Sequence, residues 1–235
     1  MADRSRVHLA GRALAAGVGV AVGAYGVYAA VAWSRYGQAQ RPEPDVQDEL
    51  LDRFIPRYDV VERHHVHVDA APDVTLDAAK EQDLFDSPLT HFIFKAREVV
   101  LGASPDNRER PRGLLAAMQS LGWGVLADVP GHELVMGAVT KPWEANVTFR
   151  GLPSDEFAAF SEPGFVKIAW TLRADPVGNG QSRFRTETRA VATDPTARAR
   201  FRAYWAFASP GIALIRRLSL TPLKREAERR ANRRE

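Results

Sequence analysis

From Phe165 to Arg173 apolar and polar positions alternate. Val166, Ile168, Trp170 and Leu172 fall on one face, Lys167, Thr171 and Arg173 on the other, which is the period of a strand with one buried side. Asp175-Pro-Val-Gly-Asn-Gly180 carries enough turn formers to reverse the chain. The alternation resumes from Ser182 to Ala192, with Phe184, Thr186, Thr188 and Ala190 opposed to Arg183, Arg185, Glu187 and Arg189. Asp194-Pro195 then supplies an N-cap and a first-turn proline. Phe201, Tyr204, Trp205, Ala208, Ile212 and Ile215 follow at three- and four-residue steps. That stripe predicts a helix lying on the sheet.

The same reading extends to the earlier chain. Tyr58 to Asp69 predicts a strand with Val60, Glu62, His64, Val66 and Val68 on one face and Val61, Arg63, His65 and His67 on the other. Helices are predicted from Ala71-Pro72-Asp73 to about Phe85, from Ser87-Pro88 to about Leu101, and over Leu114–Leu121. Ser104 to Gly113 reads as a charged loop between the last two. Trp123–Val129, Glu133–Thr140 and Ala145–Arg150 read as strands, and Asp155–Phe160 as a small helix. Strands joined by short turns build an antiparallel sheet, so the fold class is α+β and a Rossmann arrangement is excluded. Ser209-Pro210 interrupts the last helix, where a proline requires a kink or a break, and Thr221-Pro222 has the form of a further helix start.

Five segments follow: a basic tail over 1–12, an apolar span over 13–33, a linker over 34–56, the domain over 57–221 and a basic helical tail over 222–235. Ala13 to Trp33 carries no charge and has the length a membrane-crossing helix needs. Trp33 and Tyr36 suit the headgroup zone and Arg35 stops the span. Ala30-Val-Ala32 also fits signal-peptide cleavage, but the apolar core is longer than such peptides use, which favours a retained single-pass anchor. Gly19 and Gly23 form a GxxxG pair suited to a homodimer, although such glycines are common in alanine-rich spans. Arg4, Arg6 and Arg12 precede the span and Arg35 and Arg41 follow it, so the positive-inside rule puts the domain on the extracytoplasmic side. Leu50, Leu51, Phe54 and Ile55 interrupt the linker and predict a turn docked on the domain.

Composition narrows the function classes. The 235 residues are 45% hydrophobic with a net charge of +3 and no cysteine, which removes disulfides and thiolate metal sites. Basic residues gather in the tail from Lys224 to Arg234 without interleaved aromatics, a pattern for an anionic bilayer or solvent and not for nucleic acid. No P-loop, GxGxxG, GxSxG or HExxH is present, and no cofactor is implied. His65 and His67 point the same way from a strand, yet no third ligand stands at metal spacing, so no metal is expected. Glu62 and His64 share the face of Val60, Val66 and Val68. If that face is inward, an acid and a base meet in an apolar setting, as catalytic candidates or as a structural hydrogen bond.

The strand-then-helix opening His67-Val-Asp-Ala-Ala-Pro-Asp73, the run Glu162-Pro-Gly-Phe-Val-Lys-Ile-Ala-Trp170, the hairpin end Thr186-Glu-Thr-Arg-Ala-Val-Ala-Thr-Asp194 and the helix Phe201-Arg-Ala-Tyr-Trp205 together resemble the START-like (SRPBCC, helix-grip) superfamily, most closely its uncharacterised bacterial members. The resemblance covers roughly residues 57–220 and brings no catalytic motif. It implies a sheet curled around the last helix, with a cavity between them for a lipid or another apolar small molecule. Trp170, Phe184, Thr186, Thr188, Tyr204 and Trp205 are then the expected lining. Two other readings share that cavity: a polyketide-cyclase-type enzyme using Glu62 or His64 as acid or base, and a structural partner protein whose cavity its own side chains fill.

Overall fold

The computed structural model describes residues 19, 23–38, 47–83, 93, 95, 99–104 and 111–233. The elements run α1 (Glu49–Phe54), β1 (Val60–Val68), α2 (Pro72–Glu81), α3 (Leu114–Ser120), β2 (Gly124–Val129), β3 (Glu133–Thr140), β4 (Phe149–Arg150), α4 (Ser154–Ala159), β5 (Val166–Pro176), β6 (Ser182–Ala192) and α5 (Pro195–Ala231). Six antiparallel strands form one sheet in the order β1-β6-β5-β3-β2, with β4 paired to β3. Phe149–Arg150 is all that forms of the longer strand expected from Ala145. Residues 84–92, 94 and 96–98, much of the ground of the second expected helix, lie outside the described residues.

The period-2 pattern puts each side chain where alternation requires. Val66 stands opposite Phe184, His64 opposite Thr186 and Glu62 opposite Thr188, which in turn stands opposite Trp170. This face, the inner one, meets α2 and α5. It carries two apolar clusters. One gathers Val68, Leu76, Met136, Trp170 and Phe184 under Leu223 and Ala227; the other gathers Tyr36, Val60, Val166 and Ala190 under Phe201 and Trp205.

The outer face is also covered, across β3 and β5. Leu51, Phe54 and Ile55 dock there as expected from the linker, together with Phe157 of α4. Asp48 caps α1 by accepting from the Leu51 N–H at 2.8 Å. β3 is consequently buried along its whole length, unlike a strand with one wet side. Gly122 fits the close approach of β2 and β4, since its φ is +98° and a Cβ there would stand 2.2 Å from the Phe149 carbonyl oxygen.

Asp194 caps α5, its side chain accepting from the Thr196 and Ala197 N–H groups, with Pro195 in the first turn. Of the kink or break expected at Pro210, the break is not there: α5 is one helix of 37 residues with Pro210 and Pro222 inside it. Packing explains the difference. Trp205 and Ala206 hold one side of Pro210, Leu223 and Ala227 lie beyond Pro222, and tertiary burial outweighs the bonds each proline removes. Residues 222–231 are thus the end of the gripping helix, with Leu223 and Ala227 in the core.

Residues 23–35 are helical and turn back onto the first half of α5. Tyr25 donates to the Phe207 carbonyl, Arg202 donates to the Trp33 carbonyl at 3.0 and 3.1 Å, and Tyr36 packs edge-on against Phe201. Among the described residues no helix is long and apolar enough to cross a membrane. Residues 13–18 and 20–22, nine of the 21 in the expected span, lie outside the described residues.

At the start of β3, Glu133 is buried beside Asp48, and Arg173 reaches it only at 3.7 Å. Burial first, and then the Asp48 carboxylate, push the Glu133 carboxyl up to about 8. The native state therefore binds this proton more tightly than the unfolded chain, whose value is 4.5. Its contribution is fully present below 4.5 and is lost as pH rises toward 8. Denaturation at stepped pH is expected to show stability falling across that window, and Glu133→Gln is expected to flatten the fall.

Candidate functional site

Along α5 the inward positions run Phe201, Trp205, Ser209, Ile212, Arg216, Leu220, Leu223 and Ala227. The two apolar clusters occupy the ends of that row. Between them stand Arg216 from the helix and Glu62, His64, Thr186 and Thr188 from the sheet. A polar band crosses the middle of an otherwise apolar interface.

Its geometry is specific. Arg216 donates through Nη1 to Thr186 Oγ1 at 3.1 Å, and its guanidinium carbon stands 5.4 Å from the centre of the Trp170 ring. Trp170 is held edge-on by Trp123 at 6.1 Å, and Trp123 stacks on Phe149 at 5.0 Å. His64 Nε2 lies 3.7 Å from Glu62 Oε2, beyond hydrogen-bond distance. His64 Nε2 and Ser209 Oγ are buried without a hydrogen-bond partner among the described residues. Buried polar atoms normally find partners, so these two call for a ligand or water.

Burial shapes the charges. The Glu62 carboxyl is raised by desolvation, with Arg216 opposing the rise. His64 is lowered by desolvation first, then by repulsion from Arg216, Arg217 and His65. Both shifts favour the neutral forms, a carboxylic acid that can donate and an imidazole that can accept. Arg216 is itself pushed down to about 10 by burial, with Glu62 partly offsetting this. A cation, a carboxyl raised by burial and an imidazole lowered by it thus face one another in a poorly solvated setting.

The expected lining is distributed unevenly. Thr186, Thr188 and Trp170 belong to the band. Phe184 is a buried member of the cluster under Leu223. Trp205 and Tyr204 pack around Phe201 in the other cluster, farther along α5. His65 and His67 are exposed on the opposite face of β1. Arg216 was not among the sequence candidates. Its signal was present: it falls four residues after Ile212 and eleven after Trp205, a charge on the apolar stripe.

One antiparallel sheet with β1 at its edge, packed beneath a single C-terminal helix, decides the architecture. The fold is of the helix-grip type. Solved structures that match it include a hypothetical protein from Helicobacter pylori at 9% identity, covering 80% of this chain and 99% of that one, with a TM-score of 0.39. A conserved protein from Geobacillus kaustophilus matches at 11% identity over 74% and 96% of the two chains, TM-score 0.32. The Zhui aromatase/cyclase from Streptomyces sp. R1128 matches at 12% over 73% and 94%, TM-score 0.25. The helix-grip assignment rests on strand order and the gripping helix, not on likenesses of that size. No family model matches the sequence, and no curated relative does.

Proposed function

We propose that this chain is a membrane-anchored binding protein that holds a lipid or another apolar small molecule between the sheet and α5, with the domain on the extracytoplasmic side. The observation that carries the binding reading is the interruption of the inner interface. Two apolar clusters are separated by Glu62, His64, Thr186, Thr188 and Arg216, with His64 Nε2 and Ser209 Oγ unsatisfied. Small-molecule sites have this composition, apolar walls with a few convergent polar groups that fix orientation. The uncharged run from Ala13 to Trp33 and the arginines before it support the anchor and its orientation. The contacts of Trp33 with Arg202 fit a domain held close to the end of that span.

A second reading has an observation of its own. Glu62 and His64 lie 3.7 Å apart, inward, and shifted toward their neutral forms, as an acid–base pair of a cyclase would be. Native mass spectrometry of the full chain after mild extraction separates the two. A co-purifying lipid is expected; a small aromatic metabolite favours the enzyme, and an empty protein counts against both. The full-length chain is expected to resist carbonate extraction, and its release into the carbonate supernatant would remove the anchor.

A further inference from the structure

We infer that the molecule held between the sheet and α5 is a single-chain amphiphile with an anionic head, and that Arg216 receives that head. This rests on the binding reading above and specifies its chemistry. A guanidinium placed among apolar groups retains its charge and needs a counter-charge or a full set of acceptors. Three other arginines among the described residues have one. Arg189 is held by Glu187 and Asp52, Arg173 by Asp175, and Arg63 by Glu187.

Arg216 differs. Among the described residues no carboxylate stands within 4.0 Å of it. Its hydrogen bond goes to one hydroxyl, Thr186 Oγ1, and its other contact is the face of Trp170. A guanidinium presents five N–H donors in a planar fork, so most of the fork remains unassigned. Fork geometry matches a carboxylate or a phosphate, either of which accepts two parallel bonds. Burial raises the Glu62 carboxyl, which weakens the repulsion it offers such a group, and His64 carries no negative charge. The apolar clusters on either side supply what an aliphatic chain requires.

The test is competitive retention by the full chain, held in an amphipathic polymer and free of detergent, read by native mass spectrometry. Equimolar dodecanoate, dodecyl phosphate and dodecanol are offered together, with inorganic phosphate offered separately. At least one of the two anionic probes is expected to be retained more than tenfold over dodecanol, and the stronger of them identifies the head. Arg216→Gln is expected to reduce that preference to less than threefold, and Arg216→Lys to keep its direction. Equal retention of all three probes by the unaltered protein would overturn the inference while leaving an apolar cavity standing. So would a preference untouched by Arg216→Gln, or retention of inorganic phosphate as strong as that of the chain-bearing anions. Retention of none of the probes would remove the cavity reading itself.

Discussion

Replacing Arg189 by alanine is expected to lower the stability of the domain by about 3–5 kcal/mol, the range for breaking a buried ion pair by removing one partner. Arg189 has no exposed surface. Its Nε donates to Glu187 at 2.7 Å, and its Nη1 donates to Asp52 and, at 2.9 Å, to the Ile55 carbonyl. Its guanidinium also lies 4.8 Å from the centre of the Tyr58 ring. One side chain on β6 thus fastens the end of α1 to the outer face of the sheet. The alanine variant leaves Glu187 buried, although Arg63 at 2.8 Å still neutralises part of its charge. Pairing the change with Glu187→Gln is expected to recover some of the loss, because fewer unmatched charges remain inside. Chemical denaturation of the single and double variants measures both effects. A loss below about 1 kcal/mol for Arg189→Ala would show that α1 is fastened mainly by Leu51, Phe54 and Ile55.

Trp170→Ala is expected to cost a comparable amount, about 3–5 kcal/mol, as for other buried aromatic truncations. Trp170 is 2% exposed, packs edge-on against Trp123, and forms the platform beneath Arg216. The variant removes the largest ring of the inner face at a place already interrupted by polar groups. Its strand neighbours, Thr188 and Met136, are both smaller than the ring removed. Denaturant midpoints give the loss directly. Trp170→Phe keeps an aromatic face and is expected to lose less than half as much. Equal losses for the two variants would assign the cost to the indole edge and its Trp123 contact, not to the platform.

Much of the sheet was legible because β1, β5 and β6 alternate. Ser182–Ala192 is bounded as the alternation predicts, Glu133–Thr140 as read from the turn at Pro130-Gly131, and Asp194-Pro195 opens α5 as its cap chemistry predicts. Local signals failed where burial overruled them. Pro210 reads as a breaker in any window of a few residues, but the apolar row from Phe201 to Ala227 seats the helix on both sides of it. The site was half legible. Glu62, His64, Thr186 and Trp170 share inward faces that alternation reveals. Arg216 was hidden because Ile215, beside it, completes the stripe equally well on paper, and only packing decides which of the two faces the sheet. The separation of Trp205 from Trp170 was likewise beyond the sequence, because it depends on where along the sheet each turn of α5 lands.

The two internal prolines of α5 have a mechanical consequence. Each lacks the N–H that would bond to the carbonyl four residues earlier, so Ala206 and Leu218 have no such partner within the helix. The rod is notched twice, and its ends stay seated through Phe201 and Trp205 on one side and Leu223 and Ala227 on the other. The span between the notches carries Arg216 and turns Leu214 and Leu218 to the outside. Bowing that span outward breaks fewer backbone bonds than moving any equal length of an intact helix. Arg216, proposed above to receive a guest, is therefore mounted between two weakened points of the helix, so on that proposal a guest enters by bowing this span while both ends of the grip stay seated.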